Sequence, residues 1–146
     1  MNECVASGQW HDRTHLLWVR VYYADTDAGG VVYHSTYLDF AERARTEMLR
    51  SVNRDPTWRP GRSATSFVVR NCEITYKRPA LLDDLLEVRS HLIALGGASF
   101  TVRHDICRDG EVLVWLGLTL ACVRQAGIPT RIPGPLRASM AIYLSV

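Results

Sequence analysis

The stretch Tyr22–Leu49, YYADTDAGGVVYHSTYLDFAERARTEML, decides how the rest of the chain is read. It begins on the end of an alternating run, Leu17–Ala24. There Val19, Val21 and Tyr23 face one side and Trp18, Arg20 and Tyr22 the other, the two-residue period of a strand. Asp25–Gly30 breaks the alternation with turn chemistry, since glycine takes backbone angles closed to other residues. From Thr36 to Val52 the period changes. Tyr37, Phe40, Ala41, Ala44, Met48 and Val52 recur every three or four residues, which predicts one long helix with a buried face. Asp39 with Arg43, and Glu47 with Arg50, are spaced to pair on its exposed faces. Ser35 or Thr36 stands where a cap belongs, and Asp39 lies in the first turn, where the helix dipole favours a carboxylate. This order of strand, acidic turn and helix start brings a carboxylate, a histidine and unpaired N–H groups within a few residues of each other.

Downstream of the helix, Pro56 and Arg59-Pro60-Gly61 read as a loop, and everything after it as β structure. Thr65–Lys77, Leu85–Leu95, Ser99–Cys107 and Val112–Val123 are strand-like runs. Gly96-Gly97 and Asp109-Gly110 are short hairpin signals, so the strands they separate are expected to be antiparallel neighbours. Val112–Val123 is apolar on both faces, as a central strand would be. One long helix against about five strands is an α+β layer. The expected organisation is a loose N-terminal extension over residues 1–16, a single domain over 17–135 and a C-terminal tail over 136–146 that packs as a partial helical turn.

At 146 residues the chain is long enough for one domain with a real core. Seventeen basic against fifteen acidic residues leave +2, and the basic groups are scattered, so nucleic acid is not an expected partner. Cys4, Cys72, Cys107 and Cys122 show neither C-x-x-C nor zinc spacing, and the last three fall in apolar strand patterns. No basic patch followed by an apolar run opens the chain, and its longest apolar run falls short of the roughly 20 residues of a membrane helix. The expected compartment is the cytoplasm, with reduced thiols.

Three chemistries could occupy the turn. A calcium loop counted from Asp25 would need an oxygen ligand at Gly29 and a glutamate at Thr36, so it fails. No acidic residue is placed to complete another metal site, and none is expected. The phosphate-loop spacing is absent, and so is the serine-hydrolase elbow. A carboxylate acting on an ester or thioester fits better. Asp27, ordinarily ionised at neutral pH, can attack a carbonyl or activate water, and the N–H groups around His34 and Ser35 can receive the oxyanion. A thioester is the easier target because a thiolate leaves readily. On these residues alone, a plain acidic turn is about as good a reading. His34, Tyr23 and Tyr33 could then be structural, Arg70, Lys77 and Arg78 solvated, and His11 and His15 part of a mobile tail.

The segments VRVYYADTDAGGVVYHSTYLDFAERARTEMLR (Val19–Arg50) and SFVVRNCEITYKRPALLDDLLEV (Ser66–Val88) resemble the hotdog-fold acyl-CoA thioesterases of the 4-hydroxybenzoyl-CoA thioesterase type, and within it the bacterial Tol–Pal-associated group. The resemblance runs from about Val19 to Val123. It implies an antiparallel sheet wrapped around a central helix, with two chains joined edge to edge as a homodimer or homotetramer and the active site at their interface. It implies that Asp27 is the catalytic carboxylate, that His34 and Tyr23 flank it, and that Asp25 only forms the turn. Tyr33 and Ser35 would lie on the substrate side, with Phe67 and Val69 reaching in from the partner chain. Arg70, Lys77 or Arg78 would meet the phosphates of coenzyme A, which is part of the substrate, so no separate cofactor is implied. A thioester carried on acyl-carrier protein, or a scaffold role with envelope or phospholipid-synthesis partners, are the rival expectations. The His-Phe-Pro-like segment of the related dehydratases is absent.

Overall fold

The computed structural model describes residues 6–145. Its strands are β1 (Gln9–His11), β2 (Thr14–Arg20), β3 (Ser66–Tyr76), β4 (Leu85–Leu95), β5 (Ser99–Arg108), β6 (Glu111–Arg124) and β7 (Ile128–Pro129), and its helices α1 (Thr36–Val52) and α2 (Gly134–Ala141). The strands form one sheet in the order β1-β2-β4-β5-β6-β3, every pairing antiparallel, with β7 extending the pairing of β6. β6 lies between β5 and β3, the interior position its apolar composition predicted. Asp109 and Gly110 both have positive φ (50° and 83°), which gives the β5–β6 hairpin the twist its strands require.

The sheet curls around α1, the hotdog arrangement that the resemblance implied. Register shifts between Val69 and Asn71, Leu92 and Ala94, and Ile106 and Cys107 bend three of the strands. The helix buries Tyr37, Phe40, Ala41, Ala44, Met48 and Val52, the face its periodicity marked, together with Leu49. Ala41 and Ala44 are fully buried, so small side chains let the helix sit close to the sheet. Opposite them Leu86, Val88, Val102, Ile106, Leu116 and Leu120 complete the core. Of the two helix ion pairs expected, Glu47 and Arg50 meet at 3.1 Å, and Asp39 and Arg43 do not pair among the described residues.

The N-terminal segment departs from the loose extension expected. Residues Met1–Val5 lie outside the described residues, but Gln9–His11 pairs with Thr14–Leu16, and Trp10 stacks on Tyr143 with ring centroids 3.8 Å apart. His15 is fully buried rather than part of a mobile tail. Alternation explains it: His15 faces the helix alongside Leu17 and Val19, and its Nε2 donates to the Ser7 carbonyl at 3.0 Å. The strand also stops at Arg20 instead of running to Ala24, because Tyr23–Asp25 coils into a 3-10 turn. At the other end, α2 is longer than the partial turn expected, and Ser145 donates to the Leu92 carbonyl at 2.8 Å.

His15, Ser90 and His104 form a buried row across β2, β4 and β5, since His15 pairs with Ser90 and Ser90 with His104. His104 Nδ1 lies 2.7 Å from the Ser90 hydroxyl. Burial, with the Arg45 charge adding to it, pushes the His104 imidazole down to about 3, and burial lowers His15 as well.

Candidate active site

The end of the β2 path is closed by Asp25. Its Oδ2 accepts the Tyr22 N–H at 2.8 Å, and its carbonyl accepts the Tyr33 N–H at 2.9 Å. That carboxylate is spent on the backbone, which makes Asp25 a turn former. Asp27 sits where the chain doubles back, beside a Thr26–Val32 bridge. Its N–H donates to the Val31 carbonyl at 2.9 Å, and Gly30 N–H donates to the Asp27 carbonyl at 3.1 Å. Gly30 holds φ at +81°, the left-handed position that ends a three-residue hairpin loop and that a side chain would strain. Gly29 N–H donates to Asp27 Oδ1 at 2.8 Å. One carboxylate oxygen is therefore held, while the other has no partner among the described residues and the side chain is exposed.

Nine residues after Asp27, the helix begins. Thr36 N–H donates to the Tyr33 carbonyl at 2.9 Å and Leu38 N–H to the Ser35 carbonyl at 3.1 Å. The Ser35 hydroxyl makes no capping bond, contrary to expectation, because Ser35 already has helical angles (φ −80°, ψ −16°). Among the described residues, the N–H groups of His34 and Ser35 have no acceptor. They lie at the positive end of a 17-residue helix. The return arm of the loop is anchored by Val32 N–H on the Ala80 carbonyl at 2.9 Å. Ala80 N–H in turn donates to the Tyr37 hydroxyl at 3.0 Å.

A carboxylate with an idle oxygen thus stands on a hydrogen-bonded loop whose chain leads on to two idle N–H donors. The model of the thioesterase superfamily matches residues 29–114, from this loop into the start of β6. The chain belongs to the thioesterase superfamily. A protein of Escherichia coli O6:H1 named acyl-CoA thioester hydrolase YbgC is 46% identical over 109 residues, 69% of this chain and 81% of its own length. Acyl-CoA thioesterase YbgC of Haemophilus influenzae is 40% identical over 122 residues, 83% of this chain and 90% of its own. A crystal structure of a probable thioesterase from Bartonella henselae superposes with a TM-score of 0.72 at 39% identity, covering 82% of this chain and 98% of that one.

Within this thioesterase chain the expected site residues divide. Asp27, Tyr33, His34 and Ser35 are all exposed, on the loop and the lead-in to α1, and the Tyr33 and His34 rings lie 4.5 Å apart. Tyr23, 83% exposed, borders the loop through the turn, its carbonyl accepting the Thr26 hydroxyl at 2.8 Å. Lys77 and Arg78 follow the end of β3, and Arg78 reaches Glu111 at 3.7 Å. Arg70 stands at the irregularity in the middle of that strand. Phe67 and Val69 are not brought to Asp27. Phe67 packs edge-on against Phe100 at the far end of β3, roughly 30 Å of strand from Tyr76. Two cavities of about 420 and 500 Å³ flank α1, and neither is lined by Asp27 or His34.

One residue that the sequence did not single out is tied to the site. The Tyr76 hydroxyl donates to the His34 carbonyl at 2.8 Å, across 42 residues of chain. Its position before Lys77-Arg78-Pro79 gives no signal of this, because the contact exists only once β3 and the helix start meet. Among the described residues, no three His, Cys, Asp or Glu side chains gather closely enough to hold a metal ion, and no helix is long and apolar enough to cross a membrane.

Proposed function

We propose that the chain hydrolyses acyl-CoA thioesters, with Asp27 as the reactive carboxylate and the His34 and Ser35 N–H groups as the oxyanion-binding donors. The observation that carries this reading is the pairing of a half-held, exposed carboxylate with two acceptorless N–H groups on one continuous stretch of backbone. The names of the 46% and 40% identical relatives support coenzyme A as the carrier.

The substrate carbonyl oxygen sits on the N–H pair, which stabilises the charge that develops there. Asp27 either takes a proton from a water whose oxygen bonds to the carbonyl carbon, or bonds to that carbon itself and forms an anhydride that water then opens. In both routes the tetrahedral intermediate collapses with cleavage of the C–S bond. Coenzyme A leaves as a thiolate and takes up the proton, and the acyl group leaves as a carboxylic acid. His34 and Tyr23 orient water and substrate from the rim. Lys77, Arg78 and Arg70 are the cations available for the phosphates of coenzyme A.

The working unit in this reading is a dimer. β3 pairs with β6 on one side only, and Val68 and Val69 are about half exposed (46% and 50%). Antiparallel pairing of two β3 edges would set Phe67 and Val69 of one copy beside Tyr76 and His34 of the other, closing a separation that one chain cannot.

Thiol release from a panel of acyl-CoAs tests the reading. Asp27→Asn is expected to cut turnover on every acyl-CoA by about 10²–10⁴ and His34→Ala to slow it less; wild-type turnover by Asp27→Asn would sink the mechanism. A single turnover in ¹⁸O-water bears on the routes: label in the Asp27 carboxylate marks an anhydride opened at the Asp27 carbonyl, whereas a water activated by Asp27 puts the label only in the product acid.

A further inference from the structure

The His34 carbonyl and the Ser35 N–H are two ends of one planar peptide unit. A hydrogen bond accepted by the oxygen draws density from the nitrogen and makes the N–H a stronger donor, a cooperative gain of roughly 10–30% per bond. It also fixes the tilt of a plane that would otherwise be held by the chain on only one side, ahead of the helix ladder. The Tyr76 hydroxyl makes that bond at 2.8 Å.

We propose that Tyr76 is a positioning residue for catalysis: from the end of β3 it holds and polarises the peptide unit whose N–H receives the oxyanion. The inference rests on the proposed role of the Ser35 N–H.

The hydroxyl is itself well supported. The Tyr76 ring meets the Tyr37 ring edge-on at 5.7 Å and 67°. Tyr37 accepts the Ala80 N–H, and the Ala80 carbonyl accepts the Val32 N–H on the return arm of the Asp27 loop. One set of contacts therefore fixes both reacting partners: the loop that presents the carboxylate and the peptide that presents the donor. Burial, with Cys72 nearby, pushes the Tyr76 phenol up from its ordinary value, so it remains a protonated donor at neutral pH. The side chain is 46% exposed and is no part of the buried core, so its hydroxyl can be removed without opening a cavity.

Tyr76→Phe keeps the ring on Tyr37 and removes only the donor. The expected result is a fall in kcat of about three- to tenfold, a fraction of the 10²–10³ lost when a whole oxyanion donor is removed. KM on the best acyl-CoA should stay within about twofold, because ground-state binding does not use the strengthened donor. A residue that merely ties strand to helix would lower the melting temperature and leave this split unmoved. Fluorotyrosines incorporated at position 76 supply a second readout. As the phenol becomes more acidic while still protonated, kcat should rise along the series. Unchanged kcat in Tyr76→Phe, or a loss of kcat that no fluorotyrosine modulates, would overturn the proposal. Asp27→Asn belongs in the same assay. If it keeps wild-type turnover, the proposed function fails and this inference with it. If it is inactive while Tyr76→Phe matches wild type, only the role of Tyr76 fails.

Discussion

The chain has two clusters of polar groups in opposite circumstances. At the Asp27 loop and the start of α1, a carboxylate oxygen and two N–H groups lack partners among the described residues but stand at the surface. In the row His15–Ser90–His104, the ring atoms His15 Nδ1 and His104 Nε2 also lack partners among the described residues, but they are sealed between sheet and helix. The first cluster costs little, because water satisfies it until a ligand arrives. The second costs stability outright, since a buried polar atom forfeits its hydration with nothing in return. Unpartnered groups on the surface are available for chemistry, whereas in the core they set how the protein responds to acid.

The largest expected effect lies in the exposed cluster. Asp27→Asn removes the charge while keeping the shape and the Gly29 hydrogen bond, so kcat should fall by about 10²–10⁴, the usual worth of a positioned base. Asp25→Asn, two residues earlier, should mainly loosen the turn and lower the melting temperature. If Asp25→Asn proved the inactive variant instead, the comparison between the two aspartates would be reversed. The next effect concerns what completes the exposed cluster. Val69→Lys places a charge on the free β3 edge, a device that blocks edge-to-edge pairing. The variant should sediment as a monomer with activity lost in parallel, at an unchanged circular dichroism spectrum. A fully active monomer would mean that the loop and helix start of one chain suffice.

How much of this was legible follows from the range of the interactions. The helix over Thr36–Val52 and its buried face are local periodicity, and they stand as read. The strands after Pro60 were placed to within a few residues for the same reason, and the family resemblance pointed to the sheet wrapping the helix. The beginning of the chain was misread because β1 has only three residues and Thr14–Leu16 shows little alternation. Its order comes from pairing with β4 and from Trp10 on Tyr143, partners more than seventy residues away that no local pattern displays. In the site, Asp27 and the helix start lie close in sequence and could be seen together. The Ser35 cap failed because the Tyr33 carbonyl does the closing, and Tyr76 escaped because its bond spans 42 residues.

The buried cluster predicts a pH dependence with a definite sign. Folded His104 stays neutral down to about 3, whereas an unfolded imidazole takes its proton near 6.5. Between those values the unfolded state binds the extra proton, so stability is full above pH 6.5 and falls as the pH drops toward 3. The slope from this residue can reach about 1.4 kcal/mol per pH unit. His15, lowered by burial in the same direction, adds to it. Urea unfolding of wild type and His104→Gln across pH 4–8 measures this. The variant keeps a hydrogen-bonding group for Ser90 and should lose most of the slope; an equal slope in both proteins would assign the acid sensitivity elsewhere.

The smallest effect tests whether the N-terminal segment truly seals that cluster. Gly8 holds φ at +72°, and a Cβ added there would lie 2.2 Å from the Leu16 carbonyl oxygen and 2.8 Å from His15 Cε1. The carbonyl belongs to a paired strand and cannot yield, so the segment carrying Ser7 must move instead. That movement takes the Ser7 carbonyl away from His15 Nε2, its hydrogen-bond partner. Gly8→Ala should therefore cost about 1–3 kcal/mol of stability for the backbone strain. It should also flatten the loss of stability in acid, because a His15 opened to water titrates closer to the unfolded imidazole and contributes less to the slope. Activity at neutral pH should hold, since the Asp27 loop and the helix start are supported from Ala80 and Tyr76 rather than from this end. A variant that lost activity along with stability would show that the two polar clusters, separate in their chemistry, are coupled through the sheet.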